Sequence, residues 1–175
     1  MLWFYDASDA ISQFMAAGGP VLNLIALLMF VMWALIFERI WYFYGAHKRI
    51  TNDAVEQWNA RSDIKSWAAH RIREAVISRI SLGVDQNLSI IKTMVSLCPL
   101  MGLLGTVTGM IEVFNILAIT GGGDARSMAS GVSKATIPTM AGMVAALSGV
   151  FASSWLTRKS TREKELVEDH LPIEH

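Results

Sequence analysis

The chain has 175 residues, 53% of them apolar and only 17% charged, against roughly 25% charged in soluble domains, and its mean hydropathy is +0.39. Fifteen basic and fifteen acidic side chains cancel, which leaves no global drive toward nucleic acid or an acidic substrate. The single cysteine, Cys98, excludes an internal disulfide and a cysteine-built metal site, and lipid is the surrounding that this composition fits.

In chain order, residues 1–19 read as a short amphipathic helix lying on the membrane. Asp6 and Asp9 stand among Trp3, Phe4, Tyr5, Ile11 and Phe14, and Gly18-Gly19-Pro20 breaks the segment. It contains no lysine or arginine, so it lacks the positive start of a secretory leader, and the apolar stretch after it is expected to stay in the mature protein. That stretch, VLNLIALLMFVMWALIF from Val21 to Phe37, is extended by the aromatic belt Trp41, Tyr42, Phe43 and Tyr44, giving span one over 20–44. About 20 helical residues at ~1.5 Å each cross the ~30 Å hydrocarbon core.

Residues 45–92 are polar and helical. Ile64, Trp67, Ala68, Ile72, Ala75, Val76 and Ile80 recur at three- and four-residue steps and predict a stripe that buries against the extended part of span two or against a neighbouring subunit, with Arg71, Arg73, Glu74 and Arg79 mostly elsewhere. Gly83 is expected to stop this helix. Asp85 is then placed to cap the next, which runs unbroken into span two, 93–118, where Glu112 is the one charge. A hairpin over 119–133 turns at Gly121-Gly122-Gly123, span three covers 134–157, and residues 158–175 form a tail. Pro138 is expected to weaken or kink the start of span three.

Charge sets the orientation. Nine basic residues, Arg39, Lys48, Arg49, Arg61, Lys65, Arg71, Arg73, Arg79 and Lys92, lie between spans one and two, and four more, Arg158, Lys159, Arg162 and Lys164, follow span three. Only Arg126 and Lys134 fall on the opposite side. The positive-inside rule places 45–92 and the C-terminus in the cytoplasm and the N-terminus outside. The chain reads as a single all-α membrane domain of three transmembrane helices with long cytoplasmic helical extensions.

Groups that carry chemistry are few. His47, His70, His170 and His175 have no ligand spacing and read as solvated surface, and Cys98 reads as a small packing residue. No phosphate loop, nucleophile elbow or HExxH pattern occurs, so no enzyme, cofactor or metal site is expected. Small residues are the distinctive feature. Gly102, Gly105 and Gly109 recur in span two beside Thr106 and Thr108; Thr136, Thr139, Gly142, Ala146, Gly149 and Ser153 form a stripe in span three. Such faces serve close helix packing or, through their hydroxyls, a polar lumen, and the sequence leaves both open. For a hairpin centred near Gly123, Glu112 falls level with Lys134 and Thr106 with Thr139. The two charges either pair or snorkel independently at the interface.

Span two, PLMGLLGTVTGMIEVF from Pro99 to Phe114, resembles the signature of the MotA/TolQ/ExbB proton-channel family, and GVSKATIPTMAGMVAA from Gly131 to Ala146 resembles that family's third span. The resemblance implies a homopentamer in the bacterial inner membrane whose central pore encloses two helices of an ExbD-type partner. It further implies proton flow coupled to force on a TonB-type protein, which drives outer-membrane uptake of iron-siderophore, haem and cobalamin. By position, Thr106 and Thr139 fall on the family's pore-lining threonines, with Thr136 one turn before Thr139, and the proton-carrying carboxylate is assigned to the partner. Lys134 departs from the pattern, standing where ExbB and TolQ proteins typically carry a pore-mouth glutamate, while Glu112 supplies a carboxylate at matched depth. A TolQ-like role in envelope integrity has the same architecture. A flagellar stator of the MotA kind would have four spans, and a purely structural membrane adaptor would need no partner helices in a pore.

Overall fold

The computed structural model describes residues 2–60, 66–120 and 125–170. They form α1 (Leu2–Tyr44), α2 (Ala46–Asn59), α3 (Trp67–Asp85), α4 (Leu88–Thr120) and α5 (Ala125–His170). Three helical stretches, within Asp9–Trp58, Trp67–Ile119 and Met128–His170, are long and apolar enough to cross a membrane. The turn expected at Gly121-Gly122-Gly123, Ile64 of the expected stripe, and His175 lie outside the described residues.

Within α1 the backbone breaks at Gly19, whose φ of 67° and ψ of −165° are strained for any side chain. Pro20 follows at the first position of the second helical segment, where its missing N–H breaks no helical bond. The chain divides into two compact units, Met1–Trp33 with Thr93–Val150, and Ala34–Lys92 with Phe151–His175.

The first unit buries small residues of α4 and α5 beside larger side chains, most of them from α1. Val21, Leu22, Ile25 and Met32 of α1, Val95, Cys98 and Val113 of α4, and Ala135, Ala145 and Ala146 of α5 are buried. Outward stand Leu27, Phe30, Leu103, Phe114, Met140 and Leu147. In water that distribution would leave the bulk of the apolar side chains unpaid by burial, whereas in hydrocarbon it costs nothing and lets the helices approach closely. The approach is closest along α4 and α5. A Cβ added at Gly109 would lie 2.6 Å from Cα and Cβ of Ala135, and one at Gly142 would lie 2.5 Å from the Cys98 carbonyl oxygen. Pro138 does not end α5, which is one helix through it. Its fully buried ring fills the notch at Gly105, 2.4 Å from where a Cβ would stand, so packing holds the helix together where the proline removes one backbone donor.

The second unit departs from the sequence reading at three places. Ser66 caps α3 by accepting from the Ala69 amide at 3.1 Å, but the face that α3 buries is Ala69, Ile80 and Val84, while Trp67 is 78% exposed and Ile72 is also exposed. Of the expected stripe Ile80 is buried within this chain, whereas Trp67 and Ile72 are not covered by α4, and packing within the chain selects the adjacent face with the small Ala69. Gly83 does not stop α3. It lies inside the helix, where a Cβ would stand 2.9 Å from the Tyr42 hydroxyl. The chain turns instead at Asn87, in the left-handed region at φ 63°, a conformation that asparagine tolerates. Nor does Asp85 cap α4, since its carboxylate accepts from Ser160 Oγ at 2.9 Å and pairs with Lys164.

Candidate functional site: the α4–α5 face

The small residues of α4 and α5 face each other in a register that they set themselves. Gly109 meets Ala135, Gly105 meets Pro138, and Gly102 meets Thr139. Thr139 therefore stands at Gly102, about one turn from Thr106, so the two threonines are not level as turn symmetry about Gly123 requires. Glycine notches and the Pro138 ring fix the sliding position, which the loop alone leaves free.

Each hydroxyl has a defined task. Thr106 donates to the Leu103 carbonyl at 2.7 Å, Thr136 to Ser133 at 3.0 Å, and Thr108 to Leu104 at 3.0 Å. These bonds stay within one helix and leave the oxygen lone pairs free to accept from water or a protonated acid. Thr139 differs, donating across the helix pair to the Gly102 carbonyl at 2.8 Å. Gly142 and Ala146 are buried and Thr136 is exposed.

Toward the end of the pair nearer the turn, Lys134 Nζ lies 3.5 Å from Glu112 Oε1, with the two side chains 44% and 55% exposed. Both line a cavity of about 380 Å³ beside the α1 break, together with Gly18, Pro20 and Thr108. An ion pair this open is worth ~0–1 kcal/mol. Among the described residues no group of three His, Cys, Asp or Glu side chains is arranged to hold a metal ion.

Three polar groups of the second unit escape the sequence reading. Arg39 is 2% exposed; its Nη1 donates to the Gly83 carbonyl at 3.0 Å, its Nε to Glu38 Oε2 at 3.1 Å, and its guanidinium lies 5.0 Å over the Tyr42 ring. Its position at the end of an apolar run beside aromatic residues was the available signal. His47, read as solvated, is in fact buried against the Phe43 ring at a centroid distance of 6.1 Å. Asp85 is the third. Burial would raise its carboxyl, but the hydrogen bonds from Lys164 and Ser160 and the charges of Lys164 and Lys92 outweigh this and hold it below the ordinary value.

The model of the MotA/TolQ/ExbB proton channel family matches residues 44–169. Over 61 residues, 33% of this chain, the sequence is 51% identical to the biopolymer transport protein ExbB-like 1 of Synechocystis sp., of which that stretch is 24%. Over 84 residues, 48% of this chain, it is 36% identical to the biopolymer transport protein ExbB of Helicobacter pylori, of which that stretch is 58%. The matches thus span about a quarter of the first relative and under two thirds of the second.

Proposed function

The chain belongs to the MotA/TolQ/ExbB proton channel family, and from that membership we propose that it is the ExbB-like subunit of a proton-driven energy transducer. In this reading five copies surround a pore in the bacterial inner membrane, with the N-terminus periplasmic and α2, α3 and the end of α5 cytoplasmic. The pore encloses the helices of an ExbD-type partner, and a TonB-type protein receives the work and drives outer-membrane uptake. The names of the two relatives favour this over a TolQ-like role.

The observation that carries the reading is the α4–α5 pair. It is a long apolar helix pair that presents hydroxyls, and within its membrane-length stretches, 93–118 and 134–157, the charged side chains are Glu112 and Lys134, both toward one end. A face of this kind serves proton passage without trapping the proton. A carboxylate in hydrocarbon costs about 2.5–3.5 kcal/mol even on the lenient insertion scale, and hydroxyls lower that cost while carrying no charge themselves. In this reading Thr106 supplies an accepting oxygen to the partner's carboxyl or to water, Thr136 extends the polar strip, and Thr139 holds α5 against α4. Gly102, Gly105, Gly109, Gly142 and Ala146 provide the close approach.

Liposomes holding the chain with a co-expressed ExbD-type subunit test this by dye-monitored proton uptake under an imposed gradient. Thr106→Val keeps the shape and removes the hydroxyl, so proton flux should fall about tenfold, the equivalent of one lost hydrogen bond of ~1.4 kcal/mol. The 5-fold mass in native mass spectrometry should persist. Undiminished flux in the variant would remove the hydroxyl role, and a monomer as the sole species in the parent would remove the pore.

A further inference from the structure

His47 is the second residue of α2, just past the Gly45 break that separates α2 from α1. Its ring is enclosed by Tyr42 and Phe43, at centroid distances of 6.2 and 6.1 Å, and is 2% exposed. Nε2 lies 3.3 Å from Glu163 Oε2 on α5, yet off the hydrogen-bond direction, and neither ring nitrogen has a hydrogen-bond partner among the described residues. The hydroxyl of Thr51, one turn along α2, is equally buried and equally unpartnered. Buried polar groups are nearly always hydrogen-bonded, so two unpartnered ones a turn apart call for an explanation.

The surroundings supply one. His47, Thr51 and Glu163 line one open cavity of about 440 Å³ between α2 and α5, large enough to admit water. The titratable and charged groups facing it are Lys48 and Glu56 from α2 and Glu163 and His170 from α5, with Tyr42 from α1 against the ring. Lys159 of α5 lies over the Phe43 ring on which His47 also packs, and Tyr44 holds it more closely, at 4.2 Å. Glu163 is therefore the anion in direct reach of the imidazole.

We propose that His47 and Glu163 form a proton-operated latch between α2 and α5. The neutral ring has one N–H and faces the Glu163 carboxylate without a charge. When it takes a proton from cavity water, both nitrogens become donors, and a charge-assisted bond to Glu163 draws α2 onto α5. Because the bond needs the protonated ring, the latch closes as the solution on its side acidifies. This deepens the reading above and rests on it in one respect. If the second unit is cytoplasmic, the latch senses the compartment that receives the protons and tightens as they accumulate there.

Hydrogen-exchange mass spectrometry on the full-length chain in detergent reads the latch without measuring proton flux. Peptides covering 46–59 are compared at about pH 6 and about pH 8, with labelling times scaled for the intrinsic exchange rate. Protection in the parent should be about tenfold or more higher at the lower pH, the scale of one charge-assisted bond. His47→Gln, which is never cationic, should flatten the dependence, and so should Glu163→Gln, which keeps the native ring and serves if the first variant does not fold. His170→Gln should retain it. A flat parent, a dependence that survives both latch variants, or one abolished by His170→Gln would each overturn the proposal. Absent proton flux with an intact exchange response would instead overturn the channel reading alone.

Discussion

Gly142→Ala sets helix propensity against helix packing. Alanine is favoured over glycine in a helix by about 1 kcal/mol, so on an exposed face the change stabilises. At this position the new Cβ would lie 2.5 Å from the Cys98 carbonyl oxygen, where ordinary contact begins at 3.4 Å, so α4 and α5 must separate by the 0.9 Å difference. The obstacle is backbone, which cannot rotate aside. The same displacement carries the Thr139–Gly102 hydrogen bond from 2.8 Å to 3.7 Å, beyond hydrogen-bonding range. Overpacking costs about 1–3 kcal/mol, and an interhelical hydrogen bond in a membrane protein averages about 0.6 kcal/mol. Against the propensity gain, the net loss is about 0.5–2.5 kcal/mol. Reversible unfolding of the purified chain in mixed micelles measures it. Gly131→Ala is the comparison, because its Cβ would meet a side-chain methyl, Cγ2 of Val113 at 2.3 Å, and no backbone atom closer than 3.7 Å, so the cost is that of moving one valine off its preferred helical rotamer. That variant should lose less stability than Gly142→Ala. If Gly142→Ala were as stable as the parent, or if the two variants behaved alike, the backbone contact would not be what holds α4 to α5.

Asp85 predicts an acid dependence of known sign. Its carboxyl is held below its ordinary value of 3.8, so its stabilisation is fully present above that value, declines as pH falls through it, and is gone below the depressed one. The parent should therefore lose more stability than Asp85→Asn between about pH 5 and pH 3, a difference that salt reduces because the carboxylate is half exposed. In the first unit, Glu112→Lys and Lys134→Glu should each reduce proton flux, and the double exchange should restore part of it. Strict additivity in that double-mutant cycle would mean that the 3.5 Å pair has no joint role.

Local patterns in the sequence determine the helices, the three membrane-length stretches and the break at Gly18-Gly19-Pro20. Apolar run length, the 3.6-residue period and the φ freedom of one glycine act within a few residues of each other. The charge at Glu112 was also legible as a neighbour of Lys134, because both lie close to the hairpin, where register has had little length in which to drift. Farther from the turn the same arithmetic fails. Thr139 meets Gly102 instead of standing level with Thr106, since the notches at Gly102, Gly105 and Gly109 and the ring of Pro138 decide how two helices slide. Tertiary structure also decided which face of α3 is buried, that Gly83 stays helical while Asn87 turns, and that His47 is enclosed. Each of those outcomes depends on a side chain distant in sequence. Tyr42 sits over Gly83, Ser160 and Lys164 recruit Asp85 away from the next helix, and Glu163 comes within 3.3 Å of His47. A pattern read along the chain has no access to them, because the partner that makes each choice favourable exists only once the helices have packed.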